Sequence, residues 1–526
     1  MESTFPRLQR PVPKPPAEPT TPPVSPATRM FLMVTILLAV CARFGLYQAG
    51  PASDNDRVLE PDSARYVELA RNLVATGTFG KAAERNGEVH PRLAAFRGAR
   101  QEREEPDGAG LRPEILRTPG YPAFIAALLK TNLDIWAVLV AQNVLSVLSL
   151  WLVFAIGRHL LQSNWAAAIS AAIVALHPAD VLAANTLLAE TVFTFTMLLG
   201  LFVIVWGRDQ GWLPNAGGGL LIGVSALVRP VSIFLGPVLA VWLAVTERNR
   251  RGLIAAAVLL VSSLLPATAW MARNANTGFG FRISSIPYIN AWFYTSAYMN
   301  IKADEGDFQA DWPAAVRSQF GELQAQIEPE EETFAAMRRL SFETIRQQPM
   351  LYASVLGRSF GKFFSDHSMP NFNARLGRTY EPTGARAKFL SGILWPFGQA
   401  ESEPPHAQSM IWPLLWTSWN VTLALLMVVG LICIAIRRQW SVLFLLAGVF
   451  VYFLLATQAN GLERFRLPVL GVQALMVGAM IAWARTQPDS DDKPGGPESR
   501  QPNEQQRPIG GNPLLQVGAA RATRPI

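Results

Sequence analysis

The stretch Glu60-Pro61-Asp62-Ser63-Ala64-Arg65-Tyr66 sets two carboxylates and a phenol beside a long apolar run. A carboxylate at that boundary can take a proton from an attacking hydroxyl where water meets lipid. It can equally cap the helix that follows, accepting from the free amides of the first turn. The local sequence supports both readings of Asp62. Glu190, in Leu187-Leu188-Ala189-Glu190-Thr191-Val192-Phe193, is the second acid. A charge at the bilayer centre costs roughly 2.5–3.5 kcal/mol on insertion scales and less near the interface, so a retained charge favours function. An acid in the first turn of a helix is also stabilised by the macrodipole. Asp62 and Glu190 are the catalytic candidates.

Four arginines, Arg229, Arg273, Arg464 and Arg466, stand at the ends of apolar runs, against the prevailing distribution of basic residues. Forked guanidinium donors match the oxygens of a phosphate. Each alone could snorkel or pair with a structural carboxylate, whereas four on one face favour a site for a lipid phosphate. His177-Pro178 and Asp180 read as turn and cap residues. There is no HExxH, P-loop or CxxC motif, and no nucleic-acid recognition motif. Gly217-Gly218-Gly219 and Gly223 lack a following Lys-Ser/Thr and read as helix packing. No metal-ligand set is legible, and use of a divalent cation stays open.

The elements that must hold these groups come from the apolar runs. Of 526 residues, 50% are hydrophobic and 16% charged, against about a quarter charged in soluble chains. The class is an all-α polytopic membrane protein. Spans read near 30–49, 135–156, 165–180, 187–206, 216–229, 231–246, 252–271, 411–436, 440–457 and 467–484, about ten transmembrane helices. The Arg229-Pro230 break between two short spans leaves nine to eleven possible. Arg158-His159, Arg208, Arg248 to Arg251, Arg437-Arg438 and Arg485 fall on one side with the N-terminus, which the positive-inside rule makes cytoplasmic. The net charge of +7 is therefore a topology signal. Cys41 and Cys433 lie within apolar runs and read as packing residues.

Domain organisation follows. Residues 1–29 and 486–526 are proline-rich or polar and read as disordered cytoplasmic tails, flanking a membrane domain at 30–485. Outer loops cover 50–134 and 272–410. The first bears a helix with Tyr66, Leu69, Ala70, Leu73 and Val74 on one stripe, then a solvated insertion at 81–114. Arg117-Thr118-Pro119-Gly120-Tyr121-Pro122-Ala123-Phe124 reads as a rigid interfacial turn. The second contains an amphipathic helix within Phe334 to Phe364, lying on the membrane surface. No internal repeat is visible.

Taken in order, DSARYVELARNLVATGTF at 62–79, RTPGYPAF at 117–124, HP and LLAETVFTF at 177–195, GVSALVRP at 223–230, RNANTGFGFRIS at 273–284 and RFRLPVL at 464–470 resemble the GT-C superfamily. The resemblance is to its dolichyl-phosphate-mannose protein mannosyltransferase and aminoarabinose-transferase-like group, and it spans nearly all the chain outside the tails. It implies a GT-C-like bundle that moves a sugar from a polyprenyl-phosphate carrier to a lipid, glycan or protein acceptor on the outer, periplasmic face of a bacterial inner membrane. It further implies that Asp62 is the first-loop acid, that Arg117 lies close to the carrier phosphate, and that Glu190 is a second acid in the cavity. Glu60, Tyr66, Tyr121, Arg229, Arg273, Arg464 and Arg466 complete the expected substrate-binding set. The group often has two adjacent acids in its first loop. Here Ser63 follows Asp62, and the second acid, Glu60, is two residues earlier. The runner-up reading is a transporter or flippase of a lipid-linked saccharide, which would be expected to show repeated halves and interrupted helices.

Overall fold

In a computed structural model of the protein, the described residues are 23–49, 62–82, 110–208, 210–306, 311–326, 332–366, 408–458 and 461–484. Glu60, residues 1–22 of the expected N-terminal tail, the whole of the expected tail at 486–526 and residues 83–109 of the insertion lie outside them, while Pro26 to Arg29, expected in the first tail, are helical.

The apolar runs fold as helices. They are α1 (Pro26–Ala49), α4 (Ile135–Leu161), α5 (Asn164–Ala175) with α6 (Pro178–Ala184), α7 (Glu190–Trp206), α8 (Trp212–Val228), α9 (Leu235–Glu247), α10 (Arg250–Asn276), α16 (Gln408–Ile436), α17 (Trp440–Ala456) and α18 (Glu463–Ala484). Among the described residues six spans are long and apolar enough to cross a membrane, and the pair α5–α6, bent by 61°, would make a seventh. The other expected crossings, α7, α8 and α17, are apolar but only 17 residues long. That is about 25 Å of helix against a hydrocarbon core of about 30 Å. The chain is a multi-pass, all-α membrane protein.

Two breaks have local causes. Pro178 supplies no amide to the end of α5 and starts α6 at its first turn. Pro230 forces Arg229 into extended backbone (φ −139°, ψ 119°), ending α8 before a short 3-10 turn at Pro230–Ser232 leads into α9. Glycine lets α8 sit close to its neighbours. A Cβ on Gly223 would meet the Ser263 carbonyl of α10 at 2.4 Å, and one on Gly218 would meet Ile204 of α7 at 2.5 Å.

The bundle has two ends that differ in chemistry. Arg208 after α7 pairs with Glu247 at the end of α9 and donates to Ser441 Oγ at the start of α17 (2.9 Å). Basic turns that the positive-inside count puts on one side therefore meet in space. At the opposite ends of α7, α9 and α17 stand Glu190, Phe234 and Ala456; Arg229 ends α8 and Arg464 is in the first turn of α18.

Three features depart from the expected layout. Within residues 117–124, expected as a turn, the chain enters a further helix, α3 (Gly120–Leu129). The 81–114 insertion is closed at its base by an antiparallel hairpin of β1 (Gly80–Ala82) and β2 (Leu111–Pro113), with Gly80 opposite Pro113. The expected amphipathic stretch is two helices, α14 (Thr333–Gln347) and α15 (Pro349–Ser365), divided where Gln348 precedes Pro349. Between α10 and α14 lie α11 (Ile286–Ile289), a π-helical segment at Asn290–Ser296, α12 (Ala297–Ala303) and α13 (Trp312–Gln326).

Candidate active site

The helix α2 (Ser63–Thr76) carries Asp62 at its N-cap position, but the carboxylate does not cap it. Asp62 Oδ1 instead accepts from Arg117 Nη2 at 2.6 Å, and Oδ2 faces Arg464 Nη1 at 3.7 Å. The capping reading of Asp62 therefore fails on geometry. What fixes α2 is the next residue: Ser63 Oγ donates to the Leu187 carbonyl at 2.7 Å, three residues before Glu190. Glu190 is buried in the first turn of α7 and pairs with Arg229 Nη1 at 2.6 Å. The Phe465 ring lies between Arg229 and Arg464, with guanidinium carbons 5.6 and 5.2 Å from its centroid.

Arg117 is placed by Glu114, a buried acid that gave no signal in the sequence beyond its charge. Its Oε1 accepts from the backbone amides of Leu116 (2.6 Å) and Arg117 (3.2 Å). The guanidinium carbon of Arg117 stands 5.3 Å from the Tyr66 ring centroid. Burial pulls the Arg117 pKa down, but Tyr66, Asp62 and Glu114 outweigh it and leave it above the ordinary value. Burial raises the Tyr66 pKa, Arg117 and Arg229 oppose it, and the net direction is up. Tyr66 is therefore a neutral hydroxyl at neutral pH.

These groups border one cavity of about 890 Å³. Asp62, Tyr66, Arg117, Glu190, Arg229 and Arg464 line it, and a fourth arginine in the lining, Arg282, is paired with Glu332 at 2.8 Å. Four of its guanidinium nitrogens, Arg117 Nε, Arg229 Nη1, Arg282 Nη1 and Arg464 Nε, are buried without a hydrogen-bond partner. Arg229 Nη1 is close enough to Glu190 to be an ion pair, yet its N–H is not aligned as a hydrogen bond. Buried donors left unmatched are costly and suit an incoming anion with several acceptor oxygens. Among the described residues no three His, Cys, Asp or Glu side chains gather as a metal-binding group.

Residues 117–272 match the family model described as dolichyl-phosphate-mannose-protein mannosyltransferase. Over that segment the chain is similar to these mannosyltransferases. The mannosyltransferase-like segment contains Arg117, Tyr121, Glu190 and Arg229, while Asp62 and Arg464 enter the cavity from outside it. No curated protein matches the sequence. Among solved structures, the Archaeoglobus fulgidus oligosaccharyltransferase AglB, in complex with an inhibitory peptide and a dolichol-phosphate, is 13% identical with a TM-score of 0.43. That match covers 86% of this chain and 50% of AglB, so the chain spans about half the length of that protein. ArnT from Cupriavidus metallidurans bound to undecaprenyl phosphate is 14% identical with a TM-score of 0.34, over 86% of this chain and 78% of ArnT.

Three residues expected in the site stand outside the cavity lining. Tyr121 is fully buried; its hydroxyl bonds Gln142 Oε1 at 2.6 Å, and its ring meets Tyr66 edge-on at 4.9 Å, so it backs Tyr66. Arg273, one residue beyond the mannosyltransferase-like segment, donates to the carbonyls of Phe79 (2.9 Å) and Glu114 (3.1 Å) and clamps the hairpin base beside Arg117. Arg466 is buried, pairs with Glu463 at 2.8 Å and donates to the Phe363 and Phe364 carbonyls at 3.1 and 3.3 Å, tying α15 to α18. His177 caps α6 as the sequence suggested, whereas Asp180, expected as a turn or cap residue, lies within α6 and pairs with the buried Arg43. Glu60 lies outside the described residues.

Proposed function

We propose that the protein is a membrane glycosyltransferase that moves a sugar from a polyprenyl-phosphate carrier to a hydroxyl or phosphate acceptor. The observation that carries this reading is the gathering of Arg117 and Arg464, each with an unmatched buried Nε–H, and of Arg229, paired with Glu190, around Asp62 in one cavity. The family match over residues 117–272 supports the same class. The positive-inside count supports a reaction on the periplasmic face of a bacterial inner membrane with the N-terminus cytoplasmic.

In this mechanism Asp62 Oδ2, the oxygen without a close hydrogen-bond donor, takes the proton of the acceptor hydroxyl. The acceptor oxygen forms its bond to the anomeric carbon as the bond from that carbon to the phosphate oxygen breaks. The electron pair leaves with the carrier phosphate, whose charge the three guanidinium groups stabilise. These arginines fill the role that a metal ion would otherwise take, so transfer should survive chelation. With a phosphate acceptor no base is needed, and Asp62 orients the nucleophile. Transfer rather than hydrolysis requires the cavity to exclude water during the reaction.

The test is transfer of labelled sugar by the full-length protein in liposomes, from a panel of undecaprenyl-phosphate-linked sugars. Asp62→Asn should lower kcat by about 10²–10⁴-fold with a hydroxyl acceptor, and EDTA should leave the wild-type rate unchanged. Full activity of Asp62→Asn would remove the base assignment. Movement of carrier-linked saccharide across the bilayer, with no bond made or broken, would replace the enzyme with the transporter.

A further inference from the structure

The cavity has a second pole that the transfer mechanism does not use. It is built from the segment after α10 and from α13. Arg282, Ser284, Tyr288, Tyr294, Trp312 and Phe320 line it. Tyr294 sits on the π-helical segment Asn290–Ser296. Such segments are rare, interrupt regular helix hydrogen bonding, and recur at functional sites. The Tyr294 and Trp312 rings lie 5.3 Å apart, tilted by 32°.

Charge separates this pole from the first. Near Asp62 and Glu190 three arginines face two carboxylates, leaving a positive excess. Arg282 is matched by Glu332, 2.8 Å away on the approach to α14. The Oγ of Ser284, a residue 1% exposed, has no hydrogen-bond partner. The pole thus presents an unpartnered hydroxyl among aromatic side chains, with its one guanidinium neutralised by Glu332. A pyranose fits that description, since it has an apolar C–H face and a rim of hydroxyls that donate and accept. An extended peptide fits less well, because the lobe is helical and offers no strand edge for main-chain pairing.

We infer that the Arg282–Ser284 and Tyr294–Trp312 lobe is a subsite for a neutral saccharide ring, separate from the phosphate pole of the same cavity. The inference rests on the glycosyltransferase reading for its biological meaning. The ring is either the sugar on the carrier or that of the acceptor, and the two sources share the chemistry named.

The experiment uses the full-length protein in nanodiscs and measures affinities for maltotriose, trigalacturonate, an acidic tripeptide and undecaprenyl phosphate. Wild type should bind maltotriose more tightly than trigalacturonate or the peptide. Tyr294→Leu and Trp312→Leu should each weaken maltotriose binding by about 3- to 10-fold, and Ser284→Ala should weaken it measurably. All three should keep undecaprenyl phosphate affinity within about twofold of wild type, which also reports an intact fold. Competition of undecaprenyl-phosphate glucose with maltotriose would assign the lobe to the carrier's sugar, and simultaneous binding would assign it to the acceptor. Unchanged maltotriose affinity in both Ser284→Ala and Tyr294→Leu overturns the subsite, as does a preference for trigalacturonate or the peptide. Should Trp312→Leu lose both ligands through misfolding, the smaller Ser284→Ala change decides. If wild type binds maltotriose in the lobe but no undecaprenyl phosphate, the carrier reading fails and the subsite stands.

Discussion

Glu190 and Arg229 form a buried pair whose two members lie on different helices, so neither can be neutralised alone without leaving a charge in a poor solvent. Glu190→Gln should destabilise the protein by about 3–5 kcal/mol, and Arg229→Gln similarly. The double substitution should be less destabilised than the sum of the two. Denaturation of the three variants in detergent checks this, and strict additivity would mean that the two charges do not interact. Tyr66 makes a different prediction. Its pKa is raised, chiefly by burial, so the hydroxyl keeps its proton up to at least the ordinary tyrosine value of 10.0. Tyr66→Phe should therefore leave the shape of the pH–rate profile unchanged between about pH 6 and 9, and act only on KM if the hydroxyl contacts the substrate. An altered profile would make Tyr66 a proton donor or acceptor in the reaction. At this scale the sequence revealed which residues were costly to keep near the membrane, but not which way they pointed. Arg229 and Arg466 carry the same signal, an arginine at a helix end. The first lines the cavity, while the second is turned to the Phe363 and Phe364 carbonyls. Depth along a helix is legible from hydropathy, whereas azimuth depends on neighbours hundreds of residues away.

The elements that set the distance between Arg117 and Arg229 are α3 and the end of α8, which approach without a side chain between them. A Cβ on Gly120 would lie 2.7 Å from backbone atoms of Leu227 and Val228, and backbone cannot rotate away as a side chain can. Gly120→Ala should cost about 1–3 kcal/mol and lower carrier-phosphate affinity by separating the two arginines. Gly217→Ala is the control: nothing lies within 4 Å of its Cβ position, so stability should be unchanged or improved by up to about 1 kcal/mol. Thermal unfolding and phosphate-carrier binding of both variants test the contrast. A neutral Gly120→Ala would mean that α3 is free to shift. The long crossings were readable because eighteen or so apolar residues admit few alternatives in water. The helix α3 was not, since its Pro119-Gly120-Tyr121-Pro122 opening has the composition of a turn, and helix formation there depends on packing against α2 and α8. The hairpin at Gly80–Ala82 and Leu111–Pro113 joins segments about thirty residues apart, and pairing at that separation leaves no local periodicity to read.

For the molecule as a whole, the site is a property of assembly: Asp62, Arg117, Glu190, Arg229 and Arg464 come from five separate stretches and meet only when the helices are packed. The unfolded chain cannot reproduce that cluster, so a ligand that uses it binds the native state alone and stabilises it by mass action. At a free concentration one hundred times its dissociation constant, undecaprenyl phosphate should add about 2.7 kcal/mol. This would be read as an upward shift in the thermal transition at a fixed scan rate. Arg117→Gln, Arg229→Gln and Arg464→Gln should each reduce the shift. Arg464→Gln should do so with the least loss of basal stability, because its side chain is 39% exposed and its approach to Asp62 is long, at 3.7 Å. Arg273→Lys should lower basal stability through its carbonyl clamps yet retain the shift, since Arg273 supports the site from outside the cavity. Loss of the shift in Arg273→Lys, together with its persistence in Arg464→Gln, would place the phosphate beside the hairpin rather than between α7, α8 and α18. The convergence of the arginines on Asp62 would then have another purpose.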